Sequence, residues 1–271
     1  MYFQDFLNKH SRTLVMGILN ITPDSFYDGN KYYNYSDLSK RFNKMHKCDI
    51  IDVGAESSRP GAKKINQDIE LDRISKVIDL LKNKEQYYSI DTYKPKVANY
   101  AIKNGFNMIN DITGGKDRQM LEIASDANVP IILMHMQGNP ENMQKSPNYS
   151  NIIDDLLSFF DSRINNAIKQ GVNEKQIIID PGIGFGKKLH HNDEIIRKLY
   201  KFKLFNIPIL VGISRKSFLS HKSNSPSERL ESSLAVASIA INNGADIIRV
   251  HDIEKSISVF SIIDRLINKS K

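Results

Sequence analysis

The chain has 271 residues, which is enough for one large domain or two small ones and for a sizeable core. Apolar residues make up 40% and charged residues 25% of it, a composition that excludes disordered and fibrous proteins. No apolar run approaches the roughly 18 residues of a membrane span, and no basic head precedes an apolar stretch near the N-terminus. We therefore expect no membrane segment and no secretory signal.

The charge balance and the cysteine count bear on partners and location. The net charge is +7, but the lysines are spread over polar helix faces and form no basic block with interleaved aromatics. We therefore expect no nucleic-acid partner, while a small anionic ligand would need only a few local cations. The single cysteine, Cys48, cannot form an internal disulfide, which predicts a cytoplasmic location and a buried apolar role for this residue.

Eight short apolar runs rich in Ile, Val, Leu or Met follow one another along the chain, at residues 13–20, 48–54, 86–92, 106–111, 129–135, 176–181, 207–214 and 245–251. They lack strict alternation, which is typical of strands buried on both faces in a parallel sheet. Segments with helical spacing lie between them, and several end at a glycine. The pattern predicts a (β/α)₈ TIM barrel, with a doubly wound open sheet as the alternative. No linker divides the chain, so we expect a single domain over 1–271, with the barrel at about 13–268.

Every predicted strand ends in polar or ionisable side chains, and the strand starts show nothing comparable. The residues at these ends are Asn20, Asp52, Asp91, Asn110, His135, Asp180, Ser214 and Arg249. One such residue is explained equally well as a helix cap or a loop anchor. Eight together are not, and the carboxyl ends of barrel strands converge on one mouth, so we predict an active site there.

Three loops at the predicted mouth are unusual. Residues 181–188, PGIGFGKK, match neither a nucleotide P-loop nor a dinucleotide fingerprint, so their glycines are better explained by a sharp turn close to a flat ligand. The loops at 20–36 and 54–68 are longer than most connections between a strand and a helix. Long polar loops at a barrel mouth are often lids.

Eight segments resemble, in content and order, the successive blocks of the dihydropteroate synthase family, the folate-pathway target of sulfonamides. They are MGILNITPDSFYDG, DVGAESSRPGA, SIDTYKP, INDITGG, ILMHMQGNP, IIIDPGIGFGKK, VGISRKSF and IIRVHDI. The resemblance covers roughly residues 14–253. It implies a TIM barrel that joins 6-hydroxymethyl-7,8-dihydropterin diphosphate to 4-aminobenzoate, releases diphosphate, depends on Mg²⁺ and forms a homodimer. One departure is Ser58, where many members have Thr.

The resemblance also implies a pterin site formed by Asp91, Asn110, Met134, Asp180, Phe185 and Lys216. The physical reading agrees, because a carboxylate such as Asp180 accepts two parallel N–H bonds, which the amide-like edge of a pterin offers. An Asn offers both a donor and an acceptor, and a Lys donates to ring acceptors. Met134 and Phe185 would pack on the faces of the ring, although ordinary core packing explains both nearly as well.

For the diphosphate, the resemblance implies Arg59, Arg249 and His251, with Asn20 as the Mg²⁺ ligand. Phosphate sites near the last two strands are frequent in this fold, and guanidinium groups suit phosphate oxygens. The residues expected to act in catalysis are Arg59, Lys216, Arg249 and His251. The residues expected around 4-aminobenzoate are Phe26, Ser58, Arg59, Pro60 and Ser214, with Phe185 beside them. We expect a dissociative substitution, in which diphosphate leaves before the aniline nitrogen attacks.

Three other functions compete with this interpretation. A pterin-binding methyltransferase barrel would share the Asp and Asn contacts but would not need the NITPDSF and ESSRPGA loops. A metal-dependent barrel hydrolase would need a His-x-His pair after the first strand, where this chain has ILNIT. A non-catalytic anion- or nucleic-acid-binding protein would spread its cations along an outer face.

Overall fold

The computed structural model describes residues 1–22, 35–81, 86–220 and 225–269. Its strands, each followed by at least one helix, are β1 (Leu14–Asn20), β2 (Ile50–Gly54), β3 (Tyr87–Asp91), β4 (Met108–Asp111), β5 (Ile131–Met134), β6 (Ile177–Asp180), β7 (Leu210–Gly212) and β8 (Ile247–Val250). All eight lie within the apolar runs identified in the sequence. The predicted strands are therefore confirmed, with shorter bounds.

The α-helices of the described residues are α1 (Phe3–His10), α2 (Tyr35–Asn43), α3 (Gln67–Ile78), α4 (Pro95–Lys103), α5 (Arg118–Asp126), α6 (Ile152–Lys169), α7 (Leu189–Arg197), α8 (Leu230–Asn242) and α9 (Ile253–Leu266). Short 3₁₀ helices include Leu199–Phe205, which follows α7 after Lys198. Three of these α-helices begin at a side chain that accepts a first-turn N–H, namely Asn66, Asp117 and Asn151. No described helix is long and apolar enough to span a bilayer.

The strands form one parallel sheet in the order β6-β5-β4-β3-β2-β1-β8-β7. Its two ends meet through a parallel bridge between Ile179 and Ile209, and the Ile179 N–H donates to the Pro208 carbonyl at 3.0 Å. The ring is therefore closed with little regular pairing between β6 and β7. The predicted TIM barrel is confirmed, and the open-sheet alternative is wrong because an open sheet has no such bridge.

Side chains on each strand alternate between the helices and the barrel interior. Those facing the helices, such as Val53, Ile90 and Leu133, belong to one large apolar core. The inward side chains nearest the strand starts are also apolar: Leu14, Met16, Ile50, Met108, Ile132, Ile178, Leu210 and Ile247. Two residues further along, the inward positions hold Asp52, Ser89, Asn110, Met134, Asp180 and Arg249. Asp91 follows Ser89 by two residues on β3 and forms an ion pair with Arg249. We call these six residues together with Asp91 the polar layer, and the strand period of two turns all of them inward.

Helix α1 covers the lower end of the barrel and was not predicted. Phe3 is fully buried among the inward side chains, its ring meets that of Tyr87 edge-on at 5.2 Å, and its N–H donates to Gln176 Oε1 at 2.9 Å. Phe6 and Leu7 pack on the same cluster, at the spacing of one helix face. The apolar spacing of this helix could be seen in the sequence, but the rest of the segment is polar and the helix was not predicted.

The expectation that strand starts carry nothing comparable to the polar strand ends is wrong. Asp49 precedes β2 and accepts from Arg12 and from the Val15 N–H, the latter at 2.8 Å. Asp246 precedes β8 and accepts from the Ile209 N–H at 2.9 Å. These carboxylates fix backbone at the closed end of the barrel and use their oxygens on protein donors.

Cys48 is buried, as predicted, and its thiol donates to the Met45 carbonyl at 3.0 Å. Burial raises the pKa of this thiol to about 12. Since the thiolate is the reactive form, Cys48 is a packing residue rather than a nucleophile.

Replacing Phe3 with Ala tests whether α1 seals the barrel. We expect Phe3→Ala to lower the free energy of unfolding by about 3 to 5 kcal/mol, because a fully buried ring is lost and the site cannot collapse fully. Urea unfolding measures this, with Ile69→Ala, at a residue of α3 that is 47% exposed, as the control. Equal, small effects of the two substitutions would contradict the role assigned to α1.

Candidate active site

The centre of the polar layer is an arginine held between two carboxylates. Arg249 Nε donates to Asp52 Oδ2 at 2.6 Å, and Arg249 Nη2 donates to Asp91 Oδ2 at 2.9 Å. The Asn110 amide donates to the same Asp52 oxygen at 3.1 Å. Four strands, β2, β3, β4 and β8, thus bring inward side chains of the polar layer to one point. Burial and the nearby Asp52 carboxylate raise the pKa of Asp91 to about 7, although Arg249 opposes this.

Asp180 lies on the opposite side of the polar layer, at the end of β6. Its Oδ1 accepts the Gly182 N–H at 2.7 Å, and the carboxyl group is buried. Burial raises the pKa of Asp180, while the positive charge of Lys216 opposes the rise. The carboxylate therefore already has one N–H donor, and its buried position suits it to accept further N–H groups from a ligand.

Lys216 and Phe185 come from different loops and meet at the mouth. The Lys216 ammonium lies 4.4 Å from the centroid of the Phe185 ring and donates to the Ile183 carbonyl. Burial lowers the pKa of Lys216 to about 8, against the attraction of Asp180. Met134 is buried on the inward side of β5. The structure thus brings together the six side chains for which the sequence predicted a pterin site.

The loop after β6 keeps its shape through glycines and one buried lysine. Gly182 has φ +65°, and a Cβ on it would lie 1.9 Å from the His135 carbonyl oxygen. The buried Lys187 donates to the Gly182 and Phe185 carbonyls, at 2.9 and 3.0 Å, and its Nζ lies 3.0 Å from His135 Nδ1. Burial lowers the pKa values of both Lys187 and His135. These two residues shape the loop that carries Phe185.

Asn20 ends β1 at the edge of the polar layer. A Cβ on Gly54 would lie 3.4 Å from both Asn20 Oδ1 and Asp91 Oδ2, so the amide and the carboxylate flank the same strand end. Within the described part of the chain, no side chain or backbone group hydrogen-bonds the Asn20 amide. Its oxygen is a neutral ligand of the kind that Mg²⁺ accepts when most other positions are water or phosphate. The residue present therefore fits the metal.

Ser214 and His251 meet after the last two strands. The Ser214 hydroxyl accepts the His251 N–H at 3.2 Å and lies 3.0 Å from His251 Nδ1. Loss of water around the ring, together with the positive charges of Arg249 and Arg215, lowers the pKa of His251. His251 is exposed to solvent, so an anion can reach the ring.

The loop between β2 and α3, residues 55–66, is called the second loop below. Ser58 lines a small cavity together with Asp91, Tyr93 and Pro140. Arg59 and Pro60 are exposed on the outer part of the loop, and Arg59 contributes to the positive field at His251. Phe26, predicted to contact 4-aminobenzoate, lies outside the described residues.

Two residues of the site were missed as functional candidates in the sequence. Asp52 was recognised only as one polar strand end, yet it holds Arg249 and Asn110, and its Oδ1 has no partner among the described atoms. The sequence did contain a clue to its function. Asp52 lies two residues before the end of its strand, which places it on the same inward face as the acids Asp91 and Asp180 of later strands. Lys187 carried no signal beyond the glycines around it, because only the fold shows that it is buried.

The chain was compared with known proteins. A family model described as pterin binding enzyme matches residues 16–251. A relative named dihydropteroate synthase from Escherichia coli K12 is 42% identical over 254 residues, covering 92% of this chain and 90% of the relative. The chain belongs to the dihydropteroate synthases. It is an enzyme of this type, so the rivals named from the sequence, the methyltransferase, the hydrolase and the non-catalytic binding protein, are set aside.

Two solved dihydropteroate synthase structures are similar to this chain over nearly its whole length. One from Yersinia pestis, in a complex with a sulfonamide drug, has a TM-score of 0.89 and 38% identity, covering 94% of each chain. One from Clostridium difficile, in the presence of pteroic acid, has a TM-score of 0.88 and 38% identity, covering 95% of this chain and 97% of that one. The shared fold extends well beyond the sequence blocks.

Replacing Gly182 with Ala tests the shape of the loop after β6. We expect Gly182→Ala to lower the free energy of unfolding by about 2 to 5 kcal/mol, because a positive φ and a backbone clash act together. Gly61→Ala is the matched control, since Gly61 has φ +80° with nothing within 4 Å of its added Cβ. The control should lose about 1 to 2 kcal/mol in the same urea titration. If both substitutions lowered the free energy of unfolding equally, the backbone around His135 would have moved to relieve the clash.

The pKa of Lys216 predicts a pH-dependent stability. Its folded pKa of about 8 lies below the ordinary 10.5, so the folded state binds fewer protons between these values and gains stability as pH rises through them. We expect the difference in free energy of unfolding between wild type and Lys216→Met to move in favour of wild type from pH 8 to pH 10. Urea titrations at three pH values measure it. A difference independent of pH would contradict the shifted pKa.

Proposed function

We propose that this chain joins 6-hydroxymethyl-7,8-dihydropterin diphosphate to 4-aminobenzoate and releases diphosphate. The observation that carries the proposal is the polar layer, in which Asp91, Asn110 and Asp180 lie together inside an otherwise apolar barrel. Membership in the dihydropteroate synthases supports it. The substrates are expected to be small molecules, with no nucleic acid among the partners.

The pterin is proposed to lie edge-down on the polar layer. Asp180 would accept N–H groups from its amide-like edge, because both carboxylate oxygens lie in a dry site and only one has a described backbone donor. Asn110 and Asp91 would complete the recognition, and Lys216 would donate to a ring acceptor once it leaves the Ile183 carbonyl. Met134 and Phe185 would cover the flat faces.

The diphosphate is proposed to face Arg59, Arg249 and His251. Arg249 uses Nε and Nη2 on the carboxylates below it, which leaves Nη1 directed to no described partner and suited to a phosphate oxygen. A bound diphosphate would also raise the pKa of His251, because its negative charge offsets the arginines that now lower it. Mg²⁺, held by Asn20 and by the diphosphate itself, would neutralise charge on the leaving group.

The proposed chemistry is a dissociative substitution at the methylene carbon. The C–O bond breaks with both electrons leaving on diphosphate, and the electron-rich dihydropterin stabilises the methylene cation. The aniline nitrogen of 4-aminobenzoate then forms the C–N bond and loses a proton. Since this nitrogen is already nucleophilic, no strong base is required. Ser58, Pro60 and Ser214, with Phe26 and Phe185, are proposed to position the benzoate.

A diphosphate-release assay tests the proposed function directly. The pterin diphosphate and 4-aminobenzoate together, with Mg²⁺, should give steady release of diphosphate and one dihydropteroate for each. Absence of product under these conditions would overturn the proposal. Release from the pterin diphosphate alone, at a slower rate, would support the dissociative order, whereas no release without 4-aminobenzoate would favour a concerted reaction.

Replacing Asp180 with Asn tests the pterin site. We expect Asp180→Asn to weaken pterin binding by about 10- to 100-fold, because a charge-assisted pair of hydrogen bonds is lost. The fold should persist, since the Asn Oδ1 can still accept the Gly182 N–H. Isothermal calorimetry measures the affinity, with Asp154→Asn at an exposed carboxylate on α6 as the control. Unchanged pterin affinity in Asp180→Asn would count against the assignment.

We also propose that the chain forms a homodimer. Half or more of the residue surface is exposed at three apolar residues: Ile239 on α8, Leu266 on α9 and Leu204 on the 3₁₀ helix Leu199–Phe205. Neighbouring helices α8 and α9 are in contact, so such residues can form a shared face. Sedimentation equilibrium measures the mass in solution, and a monomer at micromolar concentration would contradict the proposal. The cytoplasmic location stays a prediction.

A further inference from the structure

Lys94, which precedes α4, is a partly buried amine between two carboxylates from other parts of the chain. It forms ion pairs with Glu56 of the second loop and with Glu70 of α3, the latter at 2.6 Å. The Glu70 side chain is only 1% exposed and that of Lys94 15%. The Tyr93 hydroxyl donates to Glu56 Oε1 at 2.8 Å. We call Glu56, Glu70, Tyr93 and Lys94 the Lys94 cluster.

The Lys94 cluster holds both ends of the second loop. Glu56 lies at the start of the loop and Ile65 near its end. Lys94 Nζ donates to the Ile65 carbonyl at 2.9 Å, and Glu56 Oε2 accepts the Ile65 N–H at 3.3 Å. One ammonium and one carboxylate therefore join the two ends where the loop leaves and rejoins the barrel.

The middle of the second loop is linked to the barrel at Gly61. Its Gly61 N–H donates to the Pro140 carbonyl at 2.9 Å, which links it to the loop after β5. Ser58 and Arg59 lie between this contact and Glu56. The orientation of both residues toward the mouth therefore depends on how firmly the ends of the loop are held.

The cluster also reaches the polar layer. Thr92 directly follows Asp91, and its hydroxyl donates to Glu70 Oε1 at 2.7 Å. Glu56, Glu70, Ser58 and Asp91 line the same small cavity. Without the ammonium of Lys94, two buried carboxylates would face each other unpaired, which disfavours the present arrangement of Glu56 and the loop end.

We propose that Lys94 is a positioning residue for the second loop, and that it sets the affinity for 4-aminobenzoate while leaving pterin binding to the polar layer. This inference rests on the proposed function, in which Ser58 and Arg59 meet the second substrate. Lys94 touches no substrate itself. Its effect would pass through the loop ends at Glu56 and Ile65.

The test compares Lys94→Met with Lys96→Met, at an exposed lysine two residues further along the chain, in the first turn of α4. We expect Lys94→Met to raise the KM for 4-aminobenzoate by about tenfold or more, since charge-assisted hydrogen bonds that hold the loop are lost. The affinity for the pterin diphosphate, measured by calorimetry, should stay within about twofold of wild type. Lys94→Arg, which keeps the charge and the donors, should restore most of the KM.

A second readout does not depend on turnover. Lys63 and Lys64 are exposed trypsin sites in the second loop. Cleavage after either residue in the folded protein should be faster in Lys94→Met than in wild type or Lys96→Met, because the loop ends are released. If the wild-type protein showed no turnover, the proposed function would fail, while the tryptic rate would still test the loop.

The proposal is overturned if folded Lys94→Met keeps both the wild-type KM for 4-aminobenzoate and the wild-type rate of cleavage. It is also overturned if pterin affinity falls as far as that for 4-aminobenzoate, since the effect would then be general. If Lys94→Met does not fold, Glu56→Gln decides, because Lys94 remains paired with Glu70 there. We expect Glu56→Gln to raise the KM for 4-aminobenzoate and the cleavage rate, each by less than Lys94→Met would. If both stay at the wild-type values, the proposal is rejected.

Discussion

Arg249, paired with Asp52 and Asp91 inside a closed barrel, is the interaction on which the site depends. An unpaired ion in such an interior costs several kcal/mol, so each charge in the polar layer must find a partner in that layer or in a ligand. The apolar layer below and helix α1 remove water from one side. The pairs inside the barrel therefore fix the orientation of groups that face the mouth, and the unused acceptor positions of the layer are available to a substrate.

Acidic and basic side chains are buried close together in and around the polar layer. The carboxylates of Asp91 and Asp180 are disfavoured by burial, and the ammonium of Lys216 is disfavoured by the same burial, so their pKa values shift toward each other. A flat ligand with donors along one edge and an anion at its end would satisfy the acids and the cations separately. In the free site, some acceptor and donor positions of these charged groups remain unused, and a ligand of this kind would occupy them.

Two loops around this layer are each held by one lysine side chain, which is buried at Lys187 and partly buried at Lys94. Lys187 holds the loop after β6 through backbone carbonyls, and Lys94 holds the second loop through carboxylates and one carbonyl. An ammonium has three donors on one atom, so it can join chain segments that no single backbone hydrogen bond would reach. Hydrogen bonds from these lysines therefore hold both loops where they leave the barrel.

Much of the site could be predicted from the sequence, whereas the rest depends on how the chain packs. Asp91, Asn110 and Asp180 stand at the ends of apolar runs, and a period of two fixes which face they share. The function of Asp52 did not follow, because a strand end and a position before it look alike until the register is known. Helix α1 was missed since its apolar face is short and the rest of the segment is polar.

The sequence by itself determined the order of strands and helices, the polar strand ends and the family blocks, since these depend on residue type and local spacing. Only the tertiary structure decided that Arg249 turns inward to two carboxylates, that Lys187 is buried and Lys94 partly buried, and that the barrel closes through Ile179 and Ile209. The physical reason is that burial and pairing are set by residues far apart in the chain. A lysine has the same local sequence signal whether water or three oxygens surround it.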